Sequence, residues 1–253
     1  MKTQILAREQ VYQGNLLLVN GRYPYHEGQR EATLAPDERF SAVLLRRTAA
    51  EALRAAWRGI GAGDEIVPVS GSRSKSEQVQ IYEQSLRDNG EAFTCRYVAR
   101  PGHSEHQTGL AIDLGLRKDV IDFIRPDFPD TGICERFRQA APDYGFILRY
   151  PKEKEDITGI SYEPWHFRYV GCPHARLMAE QGLTLEEYIE RIRRYRPDHR
   201  LSYPFSRGRQ AEIYFLPAED GGQAVNIPEG QYCQISGNNV DGFIVTVWRT
   251  RHE

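Results

Sequence analysis

Two short stretches of this 253-residue chain hold histidines and carboxylates at a spacing that suits a metal site. The first, from Ser104 to Asp113, reads Ser-Glu-His-Gln-Thr-Gly-Leu-Ala-Ile-Asp. If it ends in a strand, alternation directs Leu110 to the core and Asp113 to the opposite face. A buried aspartate is costly unless something compensates its charge, and a divalent metal would do so. Gly109 lets the chain turn, so that His106 can approach Asp113.

The second stretch, from Tyr162 to Tyr169, reads Tyr-Glu-Pro-Trp-His-Phe-Arg-Tyr. Pro164 prevents a helix through this segment, so we expect Glu163 on a turn and His166 on the strand that follows. Alternation directs His166 away from the apolar side chains of that strand. The two stretches together predict a His-Asp-His zinc site with a fourth position open, which is typical of a catalytic site.

The charges of such a site indicate a hydrolytic reaction. Two neutral imidazoles and one carboxylate would leave Zn²⁺ with a residual positive charge, which lowers the pKa of a bound water to about 7. Glu163 could then take the water's proton and later pass it to a leaving amine. The oxyanion of the intermediate needs a cation, and Arg73, just after a predicted strand, is the candidate.

These residues need a mixed framework of helices and strands to hold them. Periodicity and capping residues predict helices at 48–58, 74–88, 134–141, 174–181 and 184–195. Short apolar runs predict strands at 14–20, 65–70, 110–114, 146–150 and 165–170, with long loops at 91–108 and 151–162. The expected fold class is therefore α+β, with a small antiparallel β sheet flanked by helices.

The pattern changes towards the C-terminal end of the chain. Residues 197–208 have the composition of a linker, and strand-like runs separated by glycine-containing turns follow them. We therefore expect a main domain at 1–196 and a small all-β appendage at 209–253. The four cysteines are scattered without a Cys-x-x-Cys pair, which predicts free thiols.

The amino-acid composition excludes some classes of binding partner. With 33 basic and 35 acidic residues, the chain has no electrostatic footprint for nucleic acid. No apolar run approaches the ~20 residues of a membrane-spanning helix. The first residues contain no apolar core of a secretory signal, so we expect a cytoplasmic protein.

At these residues the sequence resembles the zinc D-alanyl-D-alanine carboxypeptidases and dipeptidases of the VanY, VanX and VanXY type. Residues 104–113 match Ser-x-His-x-x-Gly-x-Ala-x-Asp, and residues 163–166 match Glu-x-Trp-His. Residues 70–74 match Ser-Gly-x-Arg-Ser, with Gln78 and Tyr82 following as in the family. The resemblance covers roughly residues 10–195.

The resemblance implies a hedgehog/D,D-peptidase-like zinc peptidase core. It assigns zinc to His106, Asp113 and His166. It assigns acid–base work to Glu163 and the oxyanion to Arg73. It also implies that Ser104 and Gln78 hold the terminal D-Ala of a small peptide substrate, and that Tyr97 lines the pocket. The implied reaction is hydrolysis of the terminal D-Ala-D-Ala bond of peptidoglycan precursors, of the free dipeptide, or of both.

Two alternatives share these residues. An L,D-carboxypeptidase acting on muramyl tetrapeptides would differ only in the stereochemistry of the linkage it cleaves. A non-catalytic zinc-binding module would keep the metal ligands, but it would not need Glu163 and Arg73.

Overall fold

The computed structural model describes residues 2–27, 32–206 and 208–250, which divide into two compact units. The larger unit comprises residues 19–25 and 32–184, and the smaller unit comprises residues 2–18, 26–27, 185–206 and 208–250. These units do not coincide with the ranges 1–196 and 209–253, because the first strand of the chain pairs with a strand near its end. Residues 1, 28–31 and 251–253 of those ranges lie outside the described residues. The two ranges remain a prediction of domains.

Seven α-helices and twelve strands are found in the described residues. The helices are α1 Arg47–Ile60, α2 Lys75–Asn89, α3 Glu91–Tyr97, α4 Gly132–Ala140, α5 Glu155–Thr158, α6 His174–Glu180 and α7 Leu185–Ile192. The first seven strands are β1 Lys2–Leu6, β2 Thr33–Leu34, β3 Leu45–Arg46, β4 Ile66–Ser70, β5 Ala111–Leu116, β6 Phe146–Leu148 and β7 His166–Tyr169. The other five are β8 Leu201–Ser206, β9 Arg209–Pro217, β10 Gln223–Ile227, β11 Tyr232–Gly237 and β12 Gly242–Thr250. The predicted α+β class with an all-β C-terminal part is confirmed.

The larger unit is built on a four-stranded antiparallel sheet in the order β4-β5-β7-β6. Its core face carries Leu110, Ile112 and Leu114 from the β5 region and Phe167 from β7, all fully buried. Because side chains alternate along a strand, Asp113 and His166 leave the sheet on its other face. The alternation predicted from the sequence is therefore found in both strands.

Helices α1 and α4 cover the core face of this sheet. In α1, Ala49, Leu53 and Ala56 repeat at the spacing of one helical face and are fully buried. The helix ends at Gly61, whose φ of 64° is a left-handed conformation that glycine adopts without strain. Phe137 of α4 packs edge-on against Phe167 at a ring-centroid distance of 4.9 Å. Aromatic packing on the core face therefore holds β7 in place, and the opposite face of this strand carries His166.

The predicted loop at 91–108 is wrong, because it contains α3 and a 3-10 helix, Glu105–Thr108. The side chain of Thr94 stabilises α3 from within, since its Oγ1 hydrogen-bonds to the carbonyl of Gly90 and to Ser85 of α2. The predicted loop at 151–162 likewise contains the single helical turn α5. The helices in these segments have only four to seven residues, so their apolar periodicity is too weak to indicate a helix.

The smaller unit contains an antiparallel sheet in the order β11-β12-β9-β8 and a two-stranded pair of β1 with β10. The predicted linker at 197–208 is wrong in part, because β8 occupies half of it and pairs with β9. Pro204 is tolerated there because β8 lies at the edge of its sheet. The predicted strand at 14–20 is buried at 16–19, but it joins no ladder of the described residues. Instead, the N–H of Leu16 donates to Ser236 Oγ, and that of Leu18 to the carbonyl of Asn238.

In the described part of the chain, every helix is too short or too polar to cross a membrane.

Candidate metal and catalytic site

Two neighbouring strands and one helical turn bring the three predicted metal ligands together. Asp113 and His166 are direct partners in the β5–β7 ladder. His106 lies in the 3-10 helix that precedes β5, and this helix ends at Gly109 with a φ of 68°. A Cβ at Gly109 would lie 3.1 Å from Arg46 Cγ, so both the turn and the tight packing favour glycine.

The ligand atoms of the three residues surround one point. His106 Nε2 lies 3.0 Å from Asp113 Oδ2, and His166 Nδ1 lies 2.8 Å from Asp113 Oδ1. One ligand atom from each of the three residues lies within 4.8 Å of the other two, and all three side chains are buried. Tetrahedral zinc holds its nitrogen and oxygen ligands about 3.3 Å apart at bond lengths near 2.0 Å. The donor types and spacings therefore fit a zinc ion with three protein ligands.

The two histidines have opposite pKa shifts, which reflect their surroundings. Burial and the nearby charge of Arg73 lower the pKa of His106 to about 4. Burial also disfavours the charged form of His166, but the carboxylate of Asp113 outweighs it and raises the pKa of His166 to about 9. Asp113 itself stays ionised, because the charges and hydrogen bonds of both histidines outweigh burial and lower its pKa. A metal would compete with the proton of His166 for the same nitrogen.

The outer nitrogen of His106 is held by the backbone. Its Nδ1–H donates to the carbonyl of Gly71 at 2.7 Å, which leaves Nε2 to face the metal position. A carbonyl partner of this kind fixes both the tautomer and the orientation of a ligating imidazole. Gly71 has no room for a side chain, because a Cβ would lie 2.3 Å from the carbonyl oxygen of Leu44.

Arg73 reaches the same centre from the turn after β4. Its Nη2–H donates to Asp113 Oδ2 at 3.1 Å, its Nε–H to Ser70 Oγ at 2.9 Å and its Nη1–H to Gln78 Oε1 at 3.1 Å. The side chain is only 13% exposed. A guanidinium held by three partners is an oriented cation, as the stabilisation of an oxyanion requires.

Glu163 lies beside the metal position on the turn before β7. It is buried, and its Oε2 is 3.8 Å from His166 Nδ1. Burial raises the pKa of Glu163 to about 8, against the opposing pull of the His166 charge. A carboxylate with a pKa near neutrality can both accept and return a proton.

These groups line one cavity of about 500 Å³, including the part that opens to solvent. Ser104 and Tyr97 line it, and Phe123 and Ile124 form part of its wall. Gln78 also lines it, but its amide oxygen accepts from Arg73, and its Nε2–H donates to the carbonyl of Ala99 at 2.8 Å. The roles of Ser104, Gln78 and Tyr97 toward substrate remain predictions.

The sequence reasoning missed a buried charge cluster behind the site. Glu105, Arg149 and Arg168 are each at most 1% exposed and form two ion pairs through the glutamate. The signal was present, because Glu105 lies within the histidine motif and Arg168 follows His166 on the same strand face. A charged residue that is buried needs polar or oppositely charged partners, but the sequence does not show which residues these are.

The chain resembles known proteins at both sequence and structural level. Residues 43–172 match the family model described as VanY, D-alanyl-D-alanine carboxypeptidase. The bifunctional D-Ala-D-Ala dipeptidase and D-Ala-D-Ala carboxypeptidase VanXYC of Enterococcus gallinarum is 46% identical over 176 residues. That alignment covers 68% of this chain and 92% of the relative.

Two solved structures extend the likeness to the fold. The vancomycin resistance D,D-dipeptidase VanXYg, in complex with a D-Ala-D-Ala phosphinate analogue, superposes with a TM-score of 0.96 and 55% identity. The match covers 98% of this chain and 99% of that one. A mutant D,D-pentapeptidase VanY of the VanB-type cassette, in complex with Zn(II), gives a TM-score of 0.57 and 28% identity. It covers 69% of this chain and 98% of that one, so the metal in that protein is bound within the same fold.

Proposed function

This chain belongs to the VanY family of D-alanyl-D-alanine carboxypeptidases, and we propose that it is a zinc metallopeptidase that cleaves D-Ala-D-Ala. Its substrates are peptidoglycan precursors with this terminus, the free dipeptide, or both. One observation carries the proposal: a His-Asp-His ligand set, a carboxyl group and an arginine all line a single cavity.

Five residues of the cavity have a place in the proposed hydrolysis. Zinc held by His106, Asp113 and His166 would supply a Lewis acid that polarises the substrate carbonyl and acidifies water. Glu163 accepts a proton from the attacking water and returns it to the amine of the departing D-Ala. Arg73 donates hydrogen bonds to the oxyanion that develops at the scissile carbonyl.

The pKa of Glu163 suits this double role. Burial raises it to about 8 against the opposing charges of His166 and Arg73, and a divalent cation beside it would lower it again. The result is a group that is ionised when the site is loaded, so it can take the proton of the attacking water. Once it has taken the proton, its buried position favours the neutral acid, which is the form that protonates a leaving amine.

The lining of the cavity supports a small peptide as substrate. Its charged groups, Glu163 and Arg73, share the cavity with the apolar side chains of Phe123 and Ile124, so polar and apolar parts of a peptide both find partners. By the family resemblance, Ser104 and Gln78 bind the terminal D-Ala and Tyr97 lines the pocket. Since Gln78 already binds Arg73, we propose that it acts on the substrate through the orientation of that guanidinium. Cytoplasmic location, which would give access to precursors before export, remains a prediction.

The proposal is tested by the release of D-Ala from two substrates, D-Ala-D-Ala and a UDP-linked muramyl pentapeptide, with and without a zinc chelator. We expect release that stops with the chelator and returns with added zinc. The ratio of the two rates distinguishes a dipeptidase, a carboxypeptidase and a bifunctional enzyme. Cleavage of a muramyl tetrapeptide alone would identify an L,D-carboxypeptidase. No release from any of the three by protein with stoichiometric zinc would identify a binding module.

A further inference from the structure

Glu105 precedes the metal-ligand candidate His106 and is almost fully buried, with 1% of its surface exposed. One of its carboxylate oxygens, Oε1, accepts two hydrogen bonds. The Nε–H of Arg149 donates at 2.8 Å and the Nη1–H of Arg168 donates at 2.7 Å. Two arginines therefore hold the carboxylate in a fixed orientation.

The other carboxylate oxygen points at a histidine. Glu105 Oε2 lies 3.5 Å from Nε2 of His166, and both atoms are buried. Neither atom has a hydrogen-bond partner among residues 2–27, 32–206 and 208–250 at normal geometry. A buried donor and a buried acceptor that face each other across 3.5 Å need a shift of only a few tenths of an ångström to bond.

The two histidines of the site then have matching arrangements. His106 turns Nε2 to the metal position and binds the carbonyl of Gly71 through Nδ1. His166 turns Nδ1 to the metal position, beside Asp113 Oδ1, and presents Nε2 to Glu105. Each imidazole thus has one nitrogen toward the metal position and the other toward an oxygen acceptor from the protein.

We propose that Glu105 is a positioning residue that accepts the Nε2–H of His166 and holds the ring with Nδ1 directed at zinc. Arg149 and Arg168 serve this function by fixing the carboxylate, so that its free oxygen stays on the line to His166. The inference rests on the proposed function, because it requires zinc in the site. It gives a role to Glu105, which is neither a proposed metal ligand nor a proposed substrate-binding residue.

A purely structural role for Glu105 would be to neutralise the two arginines. That role favours arginine hydrogen bonds to both carboxylate oxygens, since each oxygen then has a partner. The observed arrangement places both arginine bonds on Oε1 and keeps Oε2 toward His166. The asymmetry is therefore accounted for by the histidine and not by charge balance alone.

The first test measures zinc affinity by competition with a chromogenic chelator, which does not depend on turnover. Glu105→Gln keeps the size of the side chain and removes its charge, and Glu105→Asp keeps the charge but withdraws the oxygen from His166. We expect each variant to bind zinc ~10–100-fold more weakly, the usual loss when the partner of a ligating histidine is changed. The matched control is Glu212→Gln, which alters a carboxylate paired with Arg200 and Arg249 and no histidine. It should leave zinc affinity unchanged.

The second test uses the wild-type protein and does not depend on any variant folding. In ¹⁵N-histidine NMR of the zinc-loaded protein, His166 should show a protonated Nε2 and a metal-bound Nδ1. Folded Glu105 variants should lose the slow exchange of that Nε2 proton. Metal bound through Nε2, or unchanged zinc affinity in folded Glu105→Gln and Glu105→Asp, would overturn the inference. If the wild type binds no zinc at all, the proposed function fails instead.

Discussion

Asp113 and His166 lie directly opposite each other on adjacent antiparallel strands, in the same register that pairs Ile112 with Phe167. One set of backbone hydrogen bonds therefore fixes both the apolar core beneath the sheet and the metal ligands above it. A slip of one residue would move the ligands to the core face and the core residues to the site. Because Ile112 and Phe167 are fully buried, burial of the core holds this register, and with it the spacing of the ligands.

The substitution Glu163→Gln should abolish most of the activity while zinc stays bound. The amide keeps the shape of the side chain but cannot accept the proton of water, so we expect kcat to fall by ~10²–10⁴, the usual contribution of a general base. Metal content by elemental analysis should remain stoichiometric. Near-wild-type turnover of zinc-loaded Glu163→Gln would remove Glu163 from the mechanism.

The substitution Arg73→Lys should lower kcat more than it changes KM. Lysine keeps the positive charge but loses the fork that binds Ser70, Gln78 and Asp113 at once. We expect kcat to fall ~10²–10³, as when an oxyanion donor is removed. The control is Arg87→Lys, an exposed residue of the neighbouring helix α2, which should behave as wild type. A change confined to KM would instead indicate that Arg73 binds the ground state of the substrate.

The substitution Gly71→Ala should weaken zinc binding without touching a ligand. The new methyl would lie 2.3 Å from the carbonyl oxygen of Leu44, so the turn must shift and carry away the carbonyl that holds His106. We expect zinc affinity to fall ~10-fold or more, with a loss of stability in the ~1–3 kcal/mol range of overpacked sites. Gly21→Ala is the matched control, because no atom lies within 4 Å of its Cβ position. Equal zinc affinity of the two variants would show that the turn at Gly71 adapts without moving His106.

The stability of the zinc-free protein should fall as the pH rises from 6.5 to 8. Burial raises the pKa of Glu163 from 4.5 to about 8, so the folded state keeps a proton that the unfolded chain releases. The pKa of His166 rises from 6.5 to about 9 in the presence of Asp113, against the effect of burial, and contributes in the same direction. His106 opposes both, because burial lowers its pKa from 6.5 to about 4, but its contribution is complete above pH 6.5.

Urea unfolding of the chelator-treated protein at several pH values measures this dependence. Glu163→Gln serves as the control, because it removes one of the two titrating groups and should give a shallower slope. A stability that is flat or rising between pH 6.5 and 8 would contradict the assignment of raised pKa values to these two groups.

The sequence was most informative where one residue had to satisfy two requirements. The position of Asp113 in an apolar strand predicted that its side chain lies on the face away from the core and that a partner compensates its charge. The structure places His106 and His166 beside it. The β5 and β7 faces followed from period-two alternation, and the helix predicted at 74–88 is found as α2. These features depend on local sequence, which is why they could be predicted.

The features that could not be predicted depend on contacts between distant segments. The partners of Glu105 lie 44 and 63 positions away, and no local pattern indicates which arginines they are. Strand β8 contains a proline and polar residues and is stabilised by its ladder with β9 rather than by its own apolar pattern. The division of the structure into two units depends on the pairing of the first strand with a strand more than two hundred residues later, which no local pattern indicates.

That pairing has a consequence for the order in which parts of the chain can fold during synthesis. Thr3 and Asn226 face each other in the β1–β10 ladder and are 223 positions apart. At a synthesis rate of 5–20 residues per second, β1 leaves the ribosome ~10–45 s before its partner is made. Residues 32–184 are complete within that interval, so the larger unit can fold first. A ribosome that stalls before residue 223 would hold a nascent chain whose first strand is an unpaired edge, open to pairing with other chains.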